Sequence, residues 1–251
     1  MTPDLIRALP SMPLAAPTFP RGPYRFTGRE YLILRYRTDL DAIRHALPEP
    51  LEPEGDTVSV QWLNLPDGTG FGAYAATLQA IPCRLGALAC TFLTQMYVDN
   101  APPLAAGREI WGYPMKYGQP QLAVASDTLT GTLDYAGQRV ATGTMSFKHH
   151  TVADLDELTS SLFGRTQVNL KLIPDVDGRP AIAQLVGIDF ADIRIRGAWR
   201  SAGRLDLIPA VNAPLADLPV LAMGEALHLV TDLTLPYGRV LHDYLAEQPG
   251  T

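Results

Sequence analysis

Cysteine is scarce in this sequence of 251 residues: Cys83 and Cys90 are the only two. That is too few for a disulfide scaffold, and no second cysteine or histidine pair stands ready to complete a zinc site. Both read as small apolar fillers. Positive charge is also in short supply. The formal net charge of -6 offers no clustered attraction to phosphate backbones or anionic lipid, so neither nucleic acid nor a membrane is expected as a partner. The segment from Met1 to Pro20 carries prolines but no continuous apolar run, and no later stretch is long and apolar enough to span a bilayer. No signal peptide is expected, and the expected location is the cytoplasm. A Walker loop, a nucleophile elbow and a zinc-protease helix are all missing, which removes the reactions they serve.

What is present is an ordinary globular balance, 47% hydrophobic and 18% charged, long enough to bury a substantial core. The 22 prolines and 21 glycines fall in turn-like clusters between short apolar runs, a punctuation that favours many strands with tight connections. Alternation and β-branched enrichment predict strands at Tyr31–Tyr36, Val58–Leu65, Ala73–Ala80, Thr91–Val98, Leu129–Tyr135, Arg139–Phe147, Val168–Ile173, Ala181–Ile188 and Asp192–Ala198. Ala136-Gly137-Gln138 suits a hairpin link. Helices are predicted at Asp39–Leu47, with Thr38 as cap and Pro48 as stop, at Leu104–Ile110 behind Pro102 and Pro103, and at Ala153–Phe163. No repeat or long linker interrupts the chain, so a single domain over residues 1–251 is expected.

Three local patterns invite chemistry and lose to simpler readings. Gly68-Thr-Gly-Phe-Gly72 lacks full dinucleotide spacing and reads as a flexible hairpin. His149 and His150 would point to opposite faces of an extended segment, a poor arrangement for one metal. Asp175-Val-Asp-Gly178, bracketed by Pro174 and Pro180, is a turn rather than a calcium loop. No metal and no cofactor is expected.

A further set of motifs runs in order along nearly the whole chain: Phe19-Pro-Arg-Gly-Pro-Tyr24, Arg29-Glu-Tyr31, Tyr36-Arg-Thr-Asp39, Pro48-Glu-Pro-Leu-Glu52, Gln79-Ala-Ile-Pro82, Asp99-Asn100, Gly107-Arg-Glu109, Tyr113-Pro114, Thr128-Leu-Thr-Gly-Thr-Leu-Asp-Tyr135 and Lys148-His149. In this order and spacing the chain resembles the acetoacetate decarboxylase family. The resemblance implies a mainly β (α+β) fold, an antiparallel cone-shaped β-barrel with a few short helices, and a homo-oligomer. It also implies a lyase that acts on a small β-keto acid. In the family a lysine after Tyr-Pro condenses with the substrate ketone, and the protonated imine accepts the electrons released as carbon dioxide leaves. Such a lysine must be unprotonated to attack, and burial lowers its pKa.

The sequence departs from the family where that lysine stands. The usual Tyr-Pro-Lys-Lys is Tyr113-Pro114-Met115-Lys116, and the imine role belongs to the first lysine. Lys116 inherits it only if the backbone after Pro114 turns differently; on an unchanged backbone Met115 lines the pocket and Lys116 leaves it. The family's active-site glutamate corresponds to Ala76, and Gln61 replaces another, keeping hydrogen bonding without charge. Arg29 matches the active-site arginine and could hold a carboxylate through paired hydrogen bonds, or form an ion pair with Glu30 or Glu109. The candidate site is therefore Lys116 and Arg29 as catalytic groups, with Met115, Gln61, Ala76 and Tyr113 around the substrate. Three functions compete: imine-dependent decarboxylation of a keto acid, imine-dependent aldol, dehydration or hydration chemistry, and lysine-independent cyclisation, isomerisation or binding of a carbonyl compound in the same apolar pocket.

Overall fold

The computed structural model describes residues 1–246. After a short N-terminal helix α1 (Pro3–Arg7), the chain enters β1 (Tyr24–Arg37), then α2 (Leu40–Ala46), β2 (Glu52–Pro53), β3 (Thr57–Gly68), β4 (Gly72–Leu85) and β5 (Leu88–Val98). Helix α3 (Ala101–Ala106) runs into a π-helical turn, Gly107–Trp111, and is followed by β6 (Met115–Tyr117), β7 (Gln119–Ala125), β8 (Thr128–Tyr135), β9 (Gln138–Ser146) and β10 (His150–Thr151). Helix α4 (Leu155–Phe163) precedes β11 (Thr166–Pro174), β12 (Pro180–Ile188), β13 (Ala191–Ser201), β14 (Gly203–Leu207), β15 (Ala222–Leu235) and β16 (Arg239–Asp243).

Twelve of these strands form one sheet, ordered β10-β13-β15-β1-β3-β4-β5-β11-β12-β16, with β2 added on β4 and β6 on β5. The pairings are antiparallel except where β5 meets β11 and β6. The other four strands make a smaller sheet, β14-β9-β8-β7. The fold is thus mainly β with short helices, but the large sheet is not a barrel closed by hydrogen bonds. Its end strands are the two-residue β10 and the five-residue β16, which do not pair with each other.

Side chains on a strand alternate between faces, and the large sheet buries both faces along its centre. On β1 and β3 the odd-numbered Tyr31, Ile33, Leu63 and Leu65 join a core containing Trp111, Tyr113 and Met115. The even-numbered Leu32, Leu34, Val60 and Trp62 pack with Leu129, Leu133, Val140 and Met145 of the small sheet. Trp62 is wholly buried in this second core, and a fully buried large apolar side chain contributes about 1.5–3 kcal/mol. The small sheet therefore backs the central strands and leaves their opposite face to form a cavity.

The predicted strands fall within observed ones, except that the predicted Arg139–Phe147 runs one residue past the end of β9 at Ser146, whereas β15 was not anticipated. Its fourteen residues include Gly224, Glu225, His228 and Asp232 among the apolar positions, so no clean alternation marks it, although it lies beside β1 at the heart of the sheet. Among the helices, α2 is capped by Asp39, whose Oδ1 accepts from Ala42 N at 2.9 Å, and not by Thr38. Asp154 caps α4 in the same way through Glu157 N. The Tyr135–Gln138 hairpin turns through left-handed Ala136 and Gly137. His149 and His150 do not diverge as expected of an extended segment. Lys148 before them has φ 51°, and their rings lie 4.7 Å apart. Among the described residues no helix is long and apolar enough to cross a membrane.

Candidate functional site

The cavity-facing side of the large sheet carries one buried arginine. A bulge interrupts the β1–β15 register between Phe26 and Arg29. Gly28 takes φ 68° there, and its amide donates to Asp232 Oδ1 at 2.8 Å. This left-handed step, open to glycine without strain, shifts the alternation so that Phe26 and Arg29 both face inward. Arg29 is 8% exposed. Its guanidinium carbon sits 5.0–5.6 Å from the ring centres of Tyr31, Phe26 and Phe190, within the range of cation–π attraction.

Arg29 makes no ion pair with the described residues. Glu30 accepts or shares a proton with His228 Nε2 at 2.8 Å instead, and Glu109 acts on Lys171. Arg29 Nε is buried with no hydrogen-bond partner. The ion-pair alternative with Glu30 or Glu109 is therefore not what this geometry builds. A buried cation without a carboxylate, held by aromatic faces, has donors free to receive an anion.

The second half of the site comes from the turn after α3. The π-helical turn ends at Gly112, whose φ is 70° and whose α-carbon lies against Lys171; an added Cβ would stand 2.5 Å from Lys171 Cα. Only glycine fits both demands. The chain then extends, Pro114 O accepts from Met96 N, and β6 pairs with β5 in the register Met96↔Met115 and Tyr97↔Lys116. Met96 and Met115 belong to the cavity-side core, and Tyr97 belongs to the core on the other face.

That register sends Met115 inward, at 5% exposure, into the cavity wall with Arg29, Tyr113, Tyr74, Trp111 and Gln167. Lys116 goes the other way. Its Nζ donates to Asn212 O at 2.7 Å and lies 5.3 Å from the Tyr135 ring centre. The remaining lysines, Lys148 and Lys171, do not line the cavity either: Lys148 Nζ rests 4.5 Å above the Trp199 ring and Lys171 Nζ donates to Ile110 O. The other two sequence candidates are peripheral to this wall. Ala76 is fully buried in the same apolar cluster without lining the cavity. Gln61 lines adjoining chambers and donates to Ser59 Oγ at 3.2 Å.

The cavity's chemistry follows from its walls. Among the described residues no carboxylate, histidine or thiol lines it, so these walls hold hydrogen-bond donors and one fixed positive charge but no base. Burial pushes the Tyr113 hydroxyl up to about 12 and raises Tyr74 further, while Arg29 pulls both the other way. Both phenols stay protonated donors at neutral pH. Gln167, whose amide nitrogen is buried without a partner, stands beside Tyr113. It carried no sequence signal, because it becomes part of the site only through the parallel contact of β11 with β5. Phe71, from the glycine-rich hairpin, also lines the wall.

Comparisons with known proteins agree with this architecture. A family model described as acetoacetate decarboxylase matches residues 11–245. The chain is 48% identical over 236 residues to a protein of Acidiphilium cryptum named acetoacetate decarboxylase, covering 94% of this chain and 96% of that one. A solved acetoacetate decarboxylase structure superposes with a TM-score of 0.94 at 42% identity, over 98% of this chain and all of the other. The acetoacetate decarboxylase of Legionella pneumophila gives 0.90 at 39% identity, over 95% and 94% of the two chains.

Proposed function

The chain belongs to the acetoacetate decarboxylase family, and on that premise we propose that it is a lyase for a small β-keto acid in which an enolate, not a lysine imine, receives the electrons. The observation that carries this reading is the exchange of faces at Met115 and Lys116: a thioether lines the cavity where an amine would be needed, and the amine is bonded to Asn212 O on the other side of the strand.

Loss of carbon dioxide from a β-keto acid requires an electron sink and no base. The bond between the α-carbon and the carboxylate carbon breaks, and its electron pair forms a carbon–carbon double bond as the ketone oxygen takes the negative charge. A proton from water then reaches the α-carbon to give the ketone. Donors aimed at the oxygen where charge develops supply the catalysis. In this reading Arg29 serves both ends of that charge movement: its forked donors hold the carboxylate before the bond breaks and the enolate oxygen afterwards. The hydroxyls of Tyr113 and Tyr74 are further donors in the same wall. Enolisation or isomerisation would need a group to remove a proton, and the wall offers none. That asymmetry favours decarboxylation over the isomerising and cyclising alternatives.

A second reading, imine-dependent decarboxylation at Lys116, is favoured by the 48% identity to a protein named acetoacetate decarboxylase. It requires β6 to shift its pairing with β5 by one residue. Incubation with acetoacetate and borohydride, followed by peptide mass spectrometry, separates the two. The enolate reading expects carbon dioxide release without a reduced lysine adduct; an adduct at Lys116 in step with turnover would overturn it.

A further inference from the structure

The cavity beside Met115 is the smallest of three along this face of the sheet, about 30 Å³. Arg29, Leu78 and Gln167 also line a second chamber of about 80 Å³. From there Gln61, Ala80, Thr91, Leu162 and Arg165 are shared with a third chamber of about 230 Å³. The three chambers follow one another along one face of the sheet through these shared walls, and the geometry points to one channel, with Met115 at its inner end and the last turn of α4, Ser161 to Phe163, along its outer length.

The chemistry of this channel changes in steps. Its inner end sets apolar side chains around the phenols of Tyr74 and Tyr113, and its middle holds Arg29 with the unpartnered amide nitrogen of Gln167. Farther out lie the hydroxyls of Thr57, Ser59, Thr91 and Ser161 and the amide of Gln61. The two arginines there already have partners. Arg165 pairs with Glu54 at 2.6 Å and donates to the carbonyls of Cys83 and Cys90, and Arg35 faces Glu225 at 3.4 Å. The outer channel is thus rich in neutral donors and acceptors, with its charges balanced internally.

On the reading that Arg29 holds the substrate carboxylate, we propose that the natural substrate is larger than acetoacetate: an oxo acid bearing a neutral, hydrogen-bonding branch, hydroxyl or amide, on the carbon next to the carboxylate. The ketone end occupies the cavity at Met115, the carboxylate meets Arg29, and the branch runs between Gln61 and Thr91 beneath α4. A charged branch would have to displace an existing ion pair, and a purely apolar one would strip water from the hydroxyls without replacing their hydrogen bonds.

Isothermal titration of the full chain tests this with 4-oxopentanoate, which does not lose carbon dioxide, and its 2-ethyl and 2-(2-hydroxyethyl) derivatives. The hydroxyethyl compound is expected to bind roughly tenfold more tightly than 4-oxopentanoate, the scale of one good hydrogen bond, with the ethyl compound between them. Leu162→Trp, at a half-buried position on α4, fills the channel and is expected to erase that gain while 4-oxopentanoate still binds. Gln61→Leu is expected to bring the hydroxyethyl compound down to the affinity of the ethyl one. Equal affinity of the three compounds, or a gain that survives both substitutions, overturns the branch assignment. When that happens while 4-oxopentanoate still binds and Arg29→Gln abolishes its binding, only the branch assignment is lost. If 4-oxopentanoate does not bind, or binds regardless of Arg29, the carboxylate seat fails and the branch falls with it.

Discussion

Replacing Met115 by lysine should rebuild an amine inside the cavity, and its cost can be worked from the site. Met115 is 5% exposed, surrounded by Leu78, Met96, Trp111 and Pro103, with the Arg29 cation in the same wall. Burial and a like charge both disfavour a protonated amine, and fully buried lysines fall by about 3–5 units from about 10.4. The lysine in Met115→Lys would then be largely neutral at pH 7 in the folded state and protonated in the unfolded chain. At about 1.36 kcal/mol per unit, the variant loses about 4 kcal/mol of stability at pH 7. Because the folded pKa is the lower one, the deficit is complete below it and disappears as pH rises through the unfolded value. Urea denaturation of wild type and variant at pH 7, 8.5 and 10 should show the gap closing to under about 1 kcal/mol at the highest pH. With acetoacetate and borohydride the variant should also gain a reduced adduct on the introduced amine. A gap that is the same at every pH, with no adduct, would mean that position 115 does not face the cavity and would refute the assignment of faces on β6.

Arg29→Gln removes the only charge among the described residues of the cavity wall and should lower the rate of carbon dioxide release by about 10²–10³, the usual effect of deleting a donor to a developing oxyanion, with the fold retained by circular dichroism. Lys116→Met breaks the bond to Asn212 O on the far side of the strand and should leave keto acid turnover within about twofold of wild type, since an exposed side chain outside the site changes little. Gly112→Ala places a Cβ 2.5 Å from Lys171 Cα at a φ of 70° and should cost more than about 1–3 kcal/mol in denaturation, the range for backbone strain alone. Burial raises the Tyr113 phenol to about 12 from 10.0, so the unfolded chain ionises first. Stability should fall as pH rises from 10 to 12, and Tyr113→Phe should flatten that decline by close to one proton's worth.

How far the sequence could be read depends on what each residue's role required. Strands β8 and β9 were legible because one face of each packs on an apolar core, so alternation survives, while β3 and β4, buried on both faces, were legible as apolar runs bounded by turn residues. Strand β15 was not, because Glu225, His228 and Asp232 are held by partners on β1 and β13 that no local window reveals. The site divides in the same way. Met115 and Lys116 are neighbours on a strand, and their opposite faces follow from local geometry once the strand is known. Arg29 was visible through family resemblance, yet its freedom from an ion pair emerged only when Glu30 was found on His228. Gln167 joins Tyr113 across a parallel pairing between segments far apart in the chain, and nothing in its own neighbourhood marks it. Sheet closure was likewise out of reach, since it depends on whether the two edge strands meet.

The fate of the ketone oxygen tests the enolate account most directly. An imine expels that oxygen as water and must recover another from solvent, whereas an enolate keeps it throughout. Turnover of acetoacetate in water enriched in ¹⁸O, with the product ketone reduced by borohydride at once to stop spontaneous exchange, reads the difference by mass spectrometry. Enolate chemistry predicts label in the product at the level of the enzyme-free control; incorporation in step with turnover would contradict it and return the catalytic role to a lysine.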